Sequence, residues 1–405
     1  MRQISFGNKQ VASSETARDI NRSVVLNLIR RRQPISRADL ARVSGLQRST
    51  VSLITEQLLQ ENWVVYGPSS RLSRGRPPAF LWLNDRRAIL VADIHPAHLT
   101  VGLADVNGRF LSQERIPTSA DPQTTAEDLA TAFCRLMEAH PNLVFEGAGI
   151  SLPGRFDQTT QRLIFAPNMN WPEFDFKTFL ERRIFMPVEL ENAANACVLA
   201  EVWFGRAEEI HHVAVVTVSE GIGAGILANG QLARGAKWMA GEFGHVSLDP
   251  NGPPCSCGGR GCWEVYASNR AALRYYHEAS GSTDDLSFQN LLELANAGSV
   301  LALNALDKMA HAIGRGMRMI VTGLAPEEIV VVGEFTSLWH RLGPAIEAEV
   351  AAAALVGEPP RVRPAAEPAM ARLRGAAALV LQKYFGSSAR NPQEEMAIEP
   401  MRQAG

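Results

Sequence analysis

Residues 241–264 read G-E-F-G-H-V-S-L-D-P-N-G-P-P-C-S-C-G-G-R-G-C-W-E, and the chemistry of this stretch decides how the rest of the chain is to be understood. His245, Cys255, Cys257 and Cys262 offer one imidazole and three thiolates, a complete tetrahedral set for Zn2+. Four protein ligands leave no position for water, so one such zinc per chain is structural. In peptide models its binding supplies roughly 10–16 kcal/mol, which goes into holding the loop. The alternative is three unbonded cysteines sharing a loop by chance. Glu242 lies three residues before His245 and Glu264 two after Cys262. A rigid loop carrying carboxylates suits a polyhydroxylated ligand, because each carboxylate can accept from two adjacent hydroxyls.

Upstream, residues 217–227 read T-V-S-E-G-I-G-A-G-I-L, an apolar strand running into glycines at every second position. Such a loop normally brings backbone N–H groups close to a phosphate, yet here Glu220 sits at its mouth. The strand belongs to a repeating pattern. Stretches 88–94, 98–104 and 109–116 read as a three-stranded meander, followed by a helix over 125–138 and a strand at 147–152. A second version runs from 212–218 through 225–227 and later 329–333. Two similar β-rich α/β halves predict a duplicated fold with a ligand cleft between them.

The first 80 residues have a different character. They carry 13 Lys and Arg against 5 Asp and Glu, a net of +8, whereas the remainder carries 27 against 37, a net of −10. A basic head on an acidic body points to a polyanion at one end and other work elsewhere. Helical periodicity groups Ile20, Val24 and Leu28 on one face of a first helix. Ser36-Arg37-Ala38-Asp39 has the form of a capping box opening a short helix through Leu40 and Val43, broken at Ser44-Gly45. A third helix from about Gln47 to Gln60 turns Val51, Ile54 and Leu58 inward, leaving Gln47, Arg48, Ser49 and Ser52 outward near its N-terminus. This is a helix-turn-helix, whose second helix enters the major groove. Residues 63–66 and 79–83 read as strands of a wing around S-S-R-L-S-R-G-R-P-P. Its Arg71, Arg74 and Arg76 suit phosphates and a narrow minor groove, with Gly75 letting the backbone sink between two arginines. A winged helix serving only protein contacts, or a merely solvated loop, are the plainer alternatives.

With E-x-G-H followed by C-x-C-G-x-x-G-C-x-E, the chain resembles the ROK family of sugar kinases and sugar-responsive repressors over nearly its whole length, and the winged head matches the repressor branch. The resemblance implies an α/β fold with an N-terminal winged helix-turn-helix and a duplicated actin- and hexokinase-like (ribonuclease H-like) two-lobed body. It also implies a monosaccharide in the cleft. Carried over by position, the sugar contacts are Gly154, Arg155, Asn168, Asn192, Glu242, His245 and Glu264, with His245 using one ring nitrogen for zinc and the other for a hydroxyl. The expected domains are 1–84 for the head, 85–192 for a small lobe joined by a C-terminal helix at about 370–385, and 193–369 for a large lobe with the zinc loop. A disordered tail is expected over 386–405.

Three departures bear on activity. Family kinases read D-x-G-G-T at the first phosphate loop, where this chain has Asp93-Ile94-His95-Pro96-Ala97. Both glycines are gone and the proline lacks a donor. At the second loop G-T gives way to Ser219-Glu220. A carboxylate about 4 Å from a phosphate charge costs roughly 4 kcal/mol at an effective dielectric of 20. Kinases carry E-N-D-A-N, whose aspartate takes the proton from the sugar hydroxyl; Ala193 stands there and accepts none. The expectation is therefore a regulator of carbohydrate genes and not an enzyme, with no ATP. Its partners are operator DNA, a monosaccharide or sugar phosphate, and a second or further copies as homodimer or homotetramer. A kinase with a fused DNA-binding head, and a regulator answering to a protein partner, are the rivals. No run reaches the roughly 18 apolar residues of a membrane span, the start is polar, and an odd five cysteines argue against a disulfide framework, so a cytoplasmic protein is expected.

Overall fold

The computed structural model describes residues 14–67, 79–96, 98–157, 160–166, 169–205, 210–352 and 357–386. Helix α1 (Ser14–Arg32) buries Val25, Leu26 and Ile29, while Ile20 and Val24 are 42% and 39% exposed. This corrects the expected inner face. In the run V-V-L-N-L-I two sets four residues apart fit helical periodicity equally well, and only packing chooses between them. After strand β1 (Ile35–Ser36), the Ser36 hydroxyl accepts from Asp39 N at 3.1 Å and caps α2 (Arg37–Ser44). Leu40 of α2 is buried, whereas Val43 faces out at its end. Gly45 closes the helix with φ +71°, a left-handed conformation that only glycine adopts without strain. The turn leads into α3 (Arg48–Gln60), which buries Val51, Ile54 and Leu58 as its periodicity requires.

Strands β2 (Val64–Tyr66) and β3 (Phe80–Leu83) pair antiparallel, Val64 with Leu83 and Tyr66 with Leu81, and β1 joins the other edge of β3. A two-residue strand has no period to read, so β1 is invisible in sequence. The wing tip with Arg71, Arg74 and Arg76 lies outside the described residues, as do residues 387–405 of the expected tail. The end of the chain's last helix completes this first compact unit, which takes in residues up to Arg87 and those from Leu381. Trp63 packs on Tyr384 and edge-on against Phe385, with ring centroids 4.7 and 5.7 Å away. Asn27 Nδ2 donates to Phe385 O at 2.7 Å and Ser23 Oγ to Gly386 O at 2.7 Å.

The second unit, Ala88–Val380, is built from one pattern used twice. Strands β4 (Arg87–Ile94), β5 (His98–Asp105) and β6 (Phe110–Pro117) form the antiparallel meander. Helix α4 (Pro122–Ala139) leads to β7 (Val144–Leu152), a short hairpin of β8 (Arg155–Phe156) and β9 (Leu163–Phe165), α5 (Phe176–Ile184) and β10 (Val188–Asn192). The sheet order is β10-β7-β4-β5-β6, with β7 and β10 parallel. Helix α6 (Ala193–Phe204) crosses to the second sheet of β11 (Val213–Val218), β12 (Ile222–Ala228), β13 (Gln231–Leu232), β14 (Glu328–Val332) and β15 (Arg361–Pro364). Its order, β13-β12-β11-β14-β15, is the first order read from the other edge: meander outside, parallel pair opposite.

Between β13 and β14 lie the zinc-loop sequence and four helices, α7 (Glu264–Ala267), α8 (Asn269–Ser280), α9 (Phe288–Asn296) and α10 (Val300–Leu324); α11 (Trp339–Ala351) precedes β15. The last helix, α12 (Ala371–Phe385), returns to β7 and α6 at very close range. A Cβ on Gly149 would lie 1.9 Å from Ala376 O, and one on Gly375 equally close to Ala196 O, so only glycine permits this docking. Among the described residues no helix is long and apolar enough to cross a membrane.

Candidate functional site

The four proposed metal ligands come together although they span 18 positions in sequence. Their donor atoms all lie within 4.8 Å of one another. Cys257 Sγ is 3.6 Å from Cys262 Sγ, and Cys255 Sγ is 3.6 Å from His245 Nδ1. A tetrahedron with Zn–S bonds of about 2.3 Å has edges of about 3.7 Å, so the donor set fits zinc. Burial pushes the Cys255 thiol up, and the Glu264 carboxylate, 3.0 Å from its sulfur, adds to that. A divalent cation among the sulfurs reverses both effects by favouring the thiolates. Next to Cys262, the Trp263 side chain is fully buried and donates from Nε1 to Ala312 O of α10 at 2.9 Å, pinning the loop to the core.

His245 turns Nδ1 toward the sulfurs and Nε2 toward Glu242, 3.8 Å away. That division matches a ring with one nitrogen on metal and the other at the cavity. One cavity of about 250 Å3 is lined by Gly154, Arg155, Asn192, Glu242, His245 and Glu264, six of the seven residues expected to hold a sugar. Asn168 lies outside the described residues. Asn192 caps α6, accepting from Ala194 N at 2.9 Å and donating to Gly154 O at 3.0 Å, which leaves its amide one N–H and one lone pair for a ligand.

Two arginines of this site escape sequence reasoning because their partners are remote. Arg234 makes a bidentate pair with Glu191, Nε and Nη2 at 3.0 and 2.7 Å from the same oxygen. Arg372, at the start of α12, donates to Ser219 Oγ at 3.3 Å and stands 3.7 Å from the Asp93 carboxylate, which also accepts from Ser151 Oγ at 3.0 Å. Asp93 heads the first loop, and this carboxylate already faces an intramolecular cation.

The described part of this loop turns back on itself. His95 N donates to His98 O at 2.9 Å and Pro96 has no donor. Glu220 pairs with Arg270 at 3.0 Å, so the second loop's carboxylate is partly neutralised and repels an anion less than a bare charge would. Burial, reinforced by Arg372, holds the His95 imidazole down at about 4. An unfolded histidine titrates near 6.5, so protonation opposes folding, and His95 costs stability as pH falls from about 6.5 toward 4. His95→Gln is therefore expected to flatten the acid limb. Urea midpoints at pH 7.5 and pH 5 should differ less for the variant than for the parent; an unchanged difference would contradict the assignment.

Residues 92–383 match the profile of the ROK family. The "Xylose repressor" of Bacillus spizizenii is 33% identical over 326 residues, covering 79% of this chain and 84% of that protein. Among solved structures, a ROK family transcriptional regulator described as a homolog of the E. coli MLC protein superposes with a TM-score of 0.77 over 92% of this chain and 98% of its own, at 24% identity. A ROK family glucokinase from Streptomyces griseus, in complex with glucose and AMPPNP, superposes with a TM-score of 0.66 at 28% identity, over 73% and 99% of the two chains.

Proposed function

This chain belongs to the ROK family, and from that premise we propose that it is a sugar-responsive DNA-binding repressor of carbohydrate transport or metabolism genes, whose kinase-like body senses a monosaccharide without phosphorylating it. The observation that carries this reading is Ala193 where the family resemblance puts the kinases' base, lining one cavity with six of the seven residues expected to hold a sugar, in a chain that also carries a helix-turn-helix. The Bacillus repressor's name supports the regulatory class.

In this reading Glu242 and Glu264 accept from neighbouring ring hydroxyls, His245 Nε2 meets a further one, Gly154, Arg155 and Asn192 supply the remaining contacts from the rest of the lining, and Asn168 is the further contact that the family resemblance implies. His245, Cys255, Cys257 and Cys262 hold a zinc whose contribution is to fix the loop that carries those groups. No ATP is expected in this reading: the first loop lacks its glycines, Asp93 faces Arg372, and Ala193 replaces the base.

The head reads DNA with α3. Gln47, Arg48 and Ser49 are exposed at its N-terminus and Ser52 is half-buried beside them. Leu53, missed by sequence reasoning, is 59% exposed and offers an apolar contact to a thymine methyl. Arg71, Arg74 and Arg76 reach phosphates and the minor groove. Two-fold operators are met by a homodimer or homotetramer in the cytoplasm. The test is a binding titration on the DNA upstream of the gene against random duplex. Preference for the upstream DNA, with affinity falling steeply with salt, is expected; equal affinity for both would refute the reading.

A further inference from the structure

Residues 235–241 run from just after β13 to Glu242 along the cavity, which Trp238, Ala240 and Gly241 line. Both ends of this segment are held on β12. Ala233 N donates to Ile226 O at 2.8 Å, and Gly241, with φ +91°, lies so near the strand that a Cβ would come 2.0 Å from Ala224 O. Between those anchors the described backbone bonds are internal: Met239 N donates to Ala236 O at 3.2 Å and Ala240 N to Arg234 O at 3.0 Å. The second of these closes the neck of a loop, where Gly235 also adopts a positive φ of +68°. Gly235, Ala236 and Met239 are exposed. A segment tied at its two ends, with a left-handed glycine at each, has the construction of a flap.

One side chain holds the centre of this flap down. Trp238 is half-buried and has φ +57°, a conformation that strains an aromatic residue. Its ring faces the Arg234 guanidinium, with 5.0 Å between ring centroid and Cζ. Arg234 is itself fixed, because its bidentate bond to the fully buried Glu191 ties it to the end of β10. The cation therefore stays in place whether or not the ring rests on it, while the strained backbone favours release. Attraction and strain oppose each other at a single residue. A ligand filling the cavity adds contacts to Trp238 and Ala240 that exist only with the flap down, and so shifts the balance toward closure.

Resting on the sugar-sensing reading above, we infer that residues 235–241 are a hinged flap on the cavity, latched by Trp238 on Arg234, and that a bound monosaccharide holds the flap shut.

Hydrogen exchange by mass spectrometry on the zinc-loaded full-length chain tests it, with the bonded amides of Met239 and Ala240 as reporters. Trp238→Asn removes the ring but keeps a residue that tolerates positive φ, so it should speed exchange of the flap about fivefold. Trp238→Phe retains an aromatic face and should stay within about twofold of the parent. Strand β12 should exchange at the parent rate in both variants. D-xylose, D-glucose and N-acetyl-D-glucosamine are the ligand probes, and whichever gives heat in calorimetry should slow exchange of the parent's flap about fivefold or more. Flap exchange that Trp238→Asn leaves unchanged, or that a sugar giving heat leaves unchanged, would overturn this inference while leaving the sugar-sensing reading intact. No heat from any of the three would count against that reading, and the Trp238→Asn comparison would still decide the latch.

Discussion

Stripping zinc, or replacing Cys257 with serine, is expected to abolish sugar binding and to lower the stability of the body by several kcal/mol. Metal binding at such sites contributes roughly 10–16 kcal/mol in peptide models, and even a fraction of that exceeds the margin by which a domain stays folded. The cause lies in the loop's composition. Residues 246–262 form no helix or strand beyond the isolated bridges Ser247 with Cys262 and Pro254 with Arg260, and their other backbone bonds, such as Cys255 N to Gly259 O and Gly261 N to Pro253 O, are turns inside the loop, so the ligand bonds add cross-links that no sheet or helix replaces. Three of the cavity's polar groups, Glu242, His245 and Glu264, lie on or beside this segment, and without the metal their spacing is undefined. Metal content by plasma emission, a thermal melt and sugar calorimetry on the same preparation check this. A zinc-free protein that keeps its melting temperature and its sugar affinity would contradict it.

The second large effect is expected at Arg372. Helix α12 has Arg372 at the cavity, bonded to Ser219 on one lobe and beside Asp93 on the other, and ends in Tyr384 and Phe385, which pack on Trp63. In the proposed reading, a change in the lobes' spacing on binding sugar would alter the two contacts of Arg372 unequally, and α12 is the covalent link from that residue to Tyr384 and Phe385. Arg372→Met retains the aliphatic stem and removes the charge. It should leave sugar-free operator binding within a few-fold of the parent while reducing the shift in operator affinity at saturating sugar from 5–150-fold, the usual range of such coupling, to a few-fold or less. Gel-shift titrations with and without sugar measure the ratio; an undiminished shift in the variant would exclude this route.

Much of the site was legible because its chemistry is local. His245, Cys255, Cys257 and Cys262 lie close enough in sequence for type and spacing to suffice, and Ala193 is conspicuous within a short motif. The two β-rich halves were likewise legible from strands long enough to show a period, but their sheet order, closed by β10 and β15, was not. Packing choices were not legible. The run V-V-L-N-L-I left two helical faces equally plausible, and the chosen one, Val25, Leu26 and Ile29, depends on what covers it. Arg372 and Arg234 were hidden for another reason: each meets carboxylates or hydroxyls of segments tens to hundreds of residues away, and no spacing rule links them. Glu220 shows the reverse case, a charge that looked unopposed until the fold set Arg270 beside it.

Occupancy of a cavity unable to phosphorylate is expected to be felt at the DNA-reading head. Operator affinity measured at zero and at saturating sugar, with sugar affinity measured on free and operator-bound protein, tests it most directly. The two ratios should be equal and between about 5 and 150, because linkage is reciprocal. Ratios of one for a sugar that demonstrably binds, or ADP released when ATP is added with that sugar, would contradict it.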